Sequence, residues 1–234
     1  MFKFKRLEVA NKADVGCKIV ALSNDEATIY VYDAIGSMFG VDAQSFIRDL
    51  NGLDAKKITM RINSPGGDVF EAKAIAAAIK AHPAEITAQI DGLAASAATT
   101  IALAADRVEM ASGAFFMIHN AWSIAMGDAA EMTKMAAMLG KITVSIAQDY
   151  CDRTGKPMDD VRAMMDEETW MSAQEALDGG FIDSISEGAK AKAMWDLSGF
   201  DKAPKIETVG NEAVNDEFDL EHLKRRLNML ERIA

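Results

Sequence analysis

The chain has 234 residues, half of them apolar and 26% charged, with 25 basic against 36 acidic side chains and a net charge of −11. That mix excludes disorder along the whole chain, and the acidity argues against a nucleic-acid partner, because it repels a phosphate backbone. Cys17 and Cys151 form no CxxC pair and the three histidines are scattered, so neither a disulfide framework nor a metal site is expected.

The segment Met1 to Arg6 alternates Phe with Lys, and no apolar stretch of a signal peptide follows it. No run approaches the ~18 apolar residues of a membrane span. A cytoplasmic protein without a membrane partner is the expectation. Residues Ala27 to Tyr32 (ATIYVY) are β-branched and aromatic and predict a strand. Asp42 to Leu50 carries Phe46, Ile47 and Leu50 at helical spacing, and Gly52 ends it. Ile58 to Asn63 predicts a second strand, closed by the turn Ser64-Pro65-Gly66-Gly67. Val69 to Ala81 predicts a helix stopped by Pro83, Ile86 to Asp91 a strand with Gly92 as its turn, and Ser96 to Ala105 an Ala-rich helix. Arg107 to Met110 and Phe115 to His119 predict short strands. Asp128 to Cys151 predicts a long helix, with Met135, Leu139, Ile142, Ile146 and Tyr150 three to four apart. After Gly155-Lys156-Pro157 a helix runs to about Met165, and another spans Ala173 to Asp178 before Gly179-Gly180.

This alternation predicts an α/β fold of βαβ units with a largely parallel sheet and right-handed crossovers. The composition changes after Gly188, where periodicity fades and Trp195 and Phe200 stand as isolated apolar points. The expected division is therefore a domain over 1–188 and an extension over 189–234. Within the extension, Leu220, Leu223, Leu227, Leu230 and Ile233 form a narrow seam on a short amphipathic helix. That seam suits a partner helix, another subunit, or packing on its own domain.

Three places carry chemistry. The turn Ser64-Pro65-Gly66-Gly67-Asp68 joins a strand to a helix, and its glycines can present unpaired N–H groups to an anion or serve the turn sterically. Ser96 sits in GLAASAA among small residues that let a substrate approach; its hydroxyl is either a nucleophile or a helix N-cap. His119 ends the apolar run FFMIH and is either a satisfied core group or a base. Together, at the carboxyl ends of neighbouring strands, these are the minimum set for acyl transfer.

The strings INSPGG, GLAASAA, MIHN and TWMSAQEALDGGFID, in that order, resemble the proteolytic subunit of Clp protease, of the ClpP/crotonase superfamily, over about Ile29 to Ile185. The details Gly67-Asp68-Val69-Phe70-Glu71, Asp91-Gly92-Leu93 and Ile118-His119-Asn120-Ala121-Trp122 look more like its phage and prophage branch, associated with head-protein processing during capsid assembly. The resemblance implies a ClpP/crotonase-like fold of repeated ββα and βαβ units with a long handle helix. It implies a serine endopeptidase with Ser96 as nucleophile, His119 as general base, and the N–H groups of Gly67 and Ala97 as oxyanion donors. Glu168 stands where the housekeeping family has aspartate, with Asp166 as the other candidate for the third catalytic member. No metal or organic cofactor is implied. Polypeptide substrates and a ring-shaped homo-oligomer are, with the Asp128 to Cys151 helix in the ring-to-ring position. Phage capsid or scaffold proteins in a host cytoplasm are the first candidate substrates. The alternatives are a proteolytic core served by a separate AAA+ ATPase, this chain having no Walker A motif, and a crotonase-like non-peptidase.

Overall fold

The computed structural model describes residues 17–21, 25–36, 40–187, 197 and 200–204, with backbone alone for 17–21. The chain divides into two units, 1–204 and 205–234, and every described residue belongs to the first. The leucine seam expected over Asp219 to Ile233 lies outside the described residues.

Among the described residues eight strands form one sheet. Strand β1 (Cys17–Ala21) pairs antiparallel with β2 (Glu26–Val31), and β2, β3 (Lys57–Ser64), β4 (Glu85–Ala95), β5 (Arg107–Ala111) and β8 (Ser184–Ser186) follow in parallel. The crossovers are α1 (Ala43–Asn51), α2 (Val69–Ala81) and α3 (Ala97–Ala102). Helices α4 (Ala129–Thr154), α5 (Met158–Asp166) and α6 (Ala173–Asp178) separate β6 (Phe115–Ile118), β7 (Thr169–Ser172) and β8. The expected α/β fold with a mostly parallel sheet and a long helix is the one observed.

Residues Ile58, Met60 and Ile62 of β3 and Ile86, Ala88 and Ile90 of β4 are buried and alternate with more exposed neighbours, as the two-residue period of a strand requires. They share one core with Phe46 and Leu50 of α1 and Ala72, Ile75 and Ile79 of α2. On the opposite face, Arg61 donates from Nε and Nη2 to both carboxylate oxygens of Asp91, at 2.8 and 2.7 Å, and Tyr32 donates to the same carboxylate.

Two local expectations change. Gly92 is not a turn: β4 runs through it to Ala95. A Cβ there would meet the Asn63 side chain at 3.0 Å, so the glycine marks a close approach between strands. The Ala-rich helix is accordingly shorter than Ser96 to Ala105, starting at Ala97 and ending at Ala102. Strand β4 also forks. Thr87–Ile90 pairs with β5, whereas Leu93–Ala95 pairs with β6, and this fork positions the site.

Candidate active site

Strand register gathers the singled-out residues. In the parallel β4–β6 pair Ala95 faces Met117, so Ser96 and the end of β6 emerge side by side, and the Ser96 N–H donates to the Met117 carbonyl at 2.9 Å. In the antiparallel β6–β7 pair Ile118 faces Thr169, which sets the next residues out, His119 and Glu168, opposite each other. In the β3–β4 pair Ser64 faces Ala94, so the Pro65-Gly66-Gly67 loop leaves the sheet beside Ser96.

Ser96 lies between β4 and α3 with φ 54° and ψ −126°, a backbone conformation sparsely populated by non-glycine residues. It stands in the N-cap position, yet its hydroxyl caps nothing. The Oγ is 2.7 Å from His119 Nε2. Of the two readings open to this serine, the hydroxyl is turned to the imidazole. The sharp strand-to-helix turn serves the same end as a nucleophile elbow, lifting the hydroxyl clear of the sheet. Its carbonyl accepts from Thr99 Oγ1 at 2.6 Å, and Thr99 in turn meets the buried Tyr150 hydroxyl at 2.6 Å. The end of α4 is thereby tied to the serine turn.

The facing loop requires its glycines. A Cβ on Gly66 (φ 88°) would sit 2.5 Å from the Ala95 carbonyl and 2.8 Å from Ser96 Cβ; one on Gly67 (φ 151°) would sit 2.0 Å from the Ile35 carbonyl. The loop is pinned by the Ile35 N–H to the Gly66 carbonyl and the Asp68 N–H to the Ile35 carbonyl, both 2.9 Å. This bridge leaves the Gly67 N–H, between them, outside the ladder. The Ala97 N–H is the first of α3 and has no intrahelical acceptor. Both residues line a cavity of about 200 Å³ shared with Ser96, His119, Trp122 and Phe200. An oxyanion formed at Ser96 could take both donors.

His119 follows β6 and is half-buried. Burial lowers its pKa from the ordinary imidazole value, and the Glu168 carboxylate opposes that shift. Glu168 acts on the ring as a charge. Its hydrogen bonds go elsewhere: Oε1 accepts from Trp170 Nε1 at 3.0 Å and from the Lys202 N–H at 2.8 Å, and Oε2 from the Asp201 N–H at 3.3 Å. Asp166 accepts from Asn120 Nδ2 at 2.7 Å, so it is engaged one residue away from the histidine. Among the described residues no group of three or more His, Cys, Asp and Glu side chains is gathered as a metal site would require.

Phe200 is the site residue the sequence did not single out. Only 8% exposed, it stacks edge-on against His119 (ring centroids 5.8 Å) and Trp170 (5.5 Å). It lies thirty residues beyond Trp170, with no periodicity linking the two, so no sequence signal could have placed it.

With this geometry in hand, the relatives are informative. The profile of the Clp protease family matches residues 11–189. The ATP-dependent Clp protease proteolytic subunit of Streptococcus salivarius is 34% identical over 152 residues, which are 61% of this chain and 77% of the relative. Proteolytic subunit 1 of Protochlamydia amoebophila is 32% identical over 169 residues, 69% of this chain and 81% of the relative. Among solved structures, a point mutant of ClpP1 from Listeria monocytogenes superposes with a TM-score of 0.60 at 26% identity, covering 69% of this chain and 91% of that one.

Proposed function

The chain belongs to the Clp protease family of serine peptidases, and from that premise we propose that it cuts polypeptides with Ser96 as nucleophile, His119 as general base and Glu168 as the charge that steadies the imidazolium. One observation carries the reading: the 2.7 Å contact of Ser96 Oγ with His119 Nε2, set in a cavity lined by Gly67 and Ala97. His119 Nε2 takes the hydroxyl proton as Oγ bonds to the peptide carbonyl carbon. The negative charge gathers on the carbonyl oxygen beside the Gly67 and Ala97 N–H groups. The tetrahedral adduct then collapses, the C–N bond breaks, and His119 passes its proton to the leaving amine. Water repeats the steps on the acyl-enzyme, releasing the acid and restoring Ser96. No step draws on a metal or organic cofactor.

The direct test is a fluorophosphonate probe followed by peptide mapping. Labelling at Ser96, lost in Ser96→Ala, is the expected outcome; labelling of another residue would remove the basis of the mechanism.

Glu168 and Asp166 separate by kinetics. Glu168→Gln removes the charge and should lower kcat roughly tenfold, about 1.4 kcal/mol of transition-state stabilisation. Asp166→Asn should cost much less. The pH profile has a defined sign. The base works as neutral imidazole, so activity falls as pH drops through the His119 pKa, and burial places that limb below the ordinary value of about 6.5. Without the Glu168 charge, which raises the pKa, the limb should move to still lower pH. A limb unmoved in Glu168→Gln but moved in Asp166→Asn would make Asp166 the third member.

Several finer points belong to the same proposal. The peptidase domain is 1–188, and 189–234 is an extension of which residues 200–204 belong to the same compact unit. The subunits form a closed ring through the exposed apolar stretch around α4. The blocks Gly67-Asp68-Val69-Phe70-Glu71 and Ile118-His119-Asn120-Ala121-Trp122 favour the phage branch, with capsid or scaffold proteins cut in a host cytoplasm. The names of the relatives, proteolytic subunits of an ATP-dependent protease, favour a second reading, a core fed by a separate AAA+ ATPase. Adding such an ATPase should accelerate hydrolysis of a folded substrate only under that second reading.

A further inference from the structure

Residues 200–202 lie beyond the stretch that matches the family, 11–189, yet Phe200 lines the cavity and Asp201 and Lys202 reach Glu168. The Glu168 carboxylate is held by three N–H donors, and two of them are the backbone groups of Asp201 and Lys202. Among the described residues no ammonium or guanidinium pairs with it. The Lys202 ammonium pairs with Glu167 at 2.9 Å instead. These contacts fix the position of the carboxylate, which is what a group acting on His119 through space requires. Glu168 itself has φ 50°, a left-handed conformation that a glutamate holds only when its surroundings fix it.

The donors are anchored. Phe200 is buried with Leu93, Ala95 and Met117, and Leu197, Ala203, Phe115 and Trp170 pack around them. This small cluster adjoins the main core, and Ala95 is the residue before Ser96. The Phe200 N–H donates to the Leu197 carbonyl at 3.0 Å, and its ring meets the imidazole edge-on. Sheet, aromatic cluster and turn thus form one mechanical path to the acid.

We propose that residues 200–202 are a positioning strap, whose backbone N–H groups fix the Glu168 carboxylate against His119 while Phe200 screens the imidazole from water. The strap acts through Glu168 and the ring and touches no reacting atom, so these are positioning residues. The inference rests on the Ser96–His119 reading of the site.

A double-mutant cycle on the full-length assembled protein tests it, with kcat for a short fluorogenic peptide as readout. Lys202→Pro removes the shorter of the two backbone donors and should lower kcat about tenfold with little change in KM, the scale of loss that misplacing an orienting group produces. In a Glu168→Ala background there is no carboxylate to hold, and the same substitution should change kcat by less than about twofold. Equal losses in both backgrounds, or no loss in either, would overturn the strap. Phe200→Ala supplies a second reading that general destabilisation would not move. Opening the imidazole to water raises its pKa, so the acid limb of kcat/KM should shift up toward the ordinary histidine value. Glu168, whose field reaches the ring, Asp166, held by Asn120, the Glu167–Lys202 ion pair and Asp201, whose N–H donates to Glu168, stay in place as charged groups around this end of the sheet. An acid limb that stays where it is in Phe200→Ala would also count against the screening role. Fluorophosphonate labelling of Ser96 in the unmodified protein keeps the two failures apart. Labelled, active protein with indifferent strap variants defeats the strap alone, whereas protein inert to probe and peptide defeats both readings.

Discussion

Ser96→Ala is expected to lower kcat for peptide hydrolysis by at least about a thousandfold, with His119→Ala close behind and the double variant no worse than either single one. The reason is geometric. In the proposed mechanism the Oγ and Nε2 atoms, 2.7 Å apart, act as one proton-transfer unit, so removing either end disables the other. What should survive is the weak acceleration due to the cavity and the Gly67 and Ala97 donors, which need neither side chain. Stability should barely change in Ser96→Ala, because the hydroxyl caps no helix N–H and the backbone at φ 54° is untouched. Ser96→Gly should instead raise the thermal midpoint above that of Ser96→Ala, since glycine occupies that conformation without strain. Single-turnover kinetics with thermal unfolding on the same samples checks all these outcomes. Full activity in Ser96→Ala would end the serine-peptidase mechanism, and additive losses in the double variant would show two independent contributions rather than one unit.

Much of this site is legible in the sequence because short-range chemistry signals it. Gly66 and Gly67 between a strand and a helix announce backbone conformations that other residues cannot hold, and the structure shows the clashes a Cβ would make there. Ser96 among alanines marks a close approach, and His119 at the end of FFMI marks a strand terminus. The elements around them follow from period and capping. Asp68 and Asp128 accept from the first-turn N–H groups of α2 and α4, and Gly155 at φ 70° ends α4. What escapes the sequence depends on pairing between distant segments. Thr169–Ser172 is only four residues long, too short for its pattern to predict an element; it becomes a strand because β6 offers it an unpaired edge. Gly92 reads as a turn because glycine commonly punctuates the end of a strand, whereas here it lets β4 pass Asn63 and divide its pairing between β5 and β6. Phe200, an isolated apolar point in a region without periodicity, finds its place only through Trp170 and His119, partners that the fold supplies.

The other large effect concerns assembly. Helix α4 is 26 residues long, but Ile146, Ala147 and Tyr150, near its end, are its only buried residues. Across 122–144, Trp122, Ile124, Met126, Met132, Met138 and Val144 are exposed, Met126 at 93%. A free monomer seldom presents so many large apolar groups in one stretch, since contiguous exposed apolar patches beyond a few hundred Å² usually mark contacts. Covered by a second copy, each of these side chains would contribute about 1.5–3 kcal/mol relative to exposure, before the cost of association. The unmodified protein should therefore behave in light scattering as one large closed species at micromolar concentration. Replacing Ile124 and Met126 by glutamate should convert it to small species. A carboxylate desolvated without a partner costs several kcal/mol, each 1.4 kcal/mol is tenfold in dissociation constant, and symmetry repeats the cost at every equivalent contact. Both side chains lie outside the buried core in the subunit, so the far-ultraviolet circular dichroism of the variant should match that of the unmodified chain. An unmodified protein that is monomeric and fully active, or a double-glutamate variant that still assembles, would show that this apolar stretch does not join the subunits.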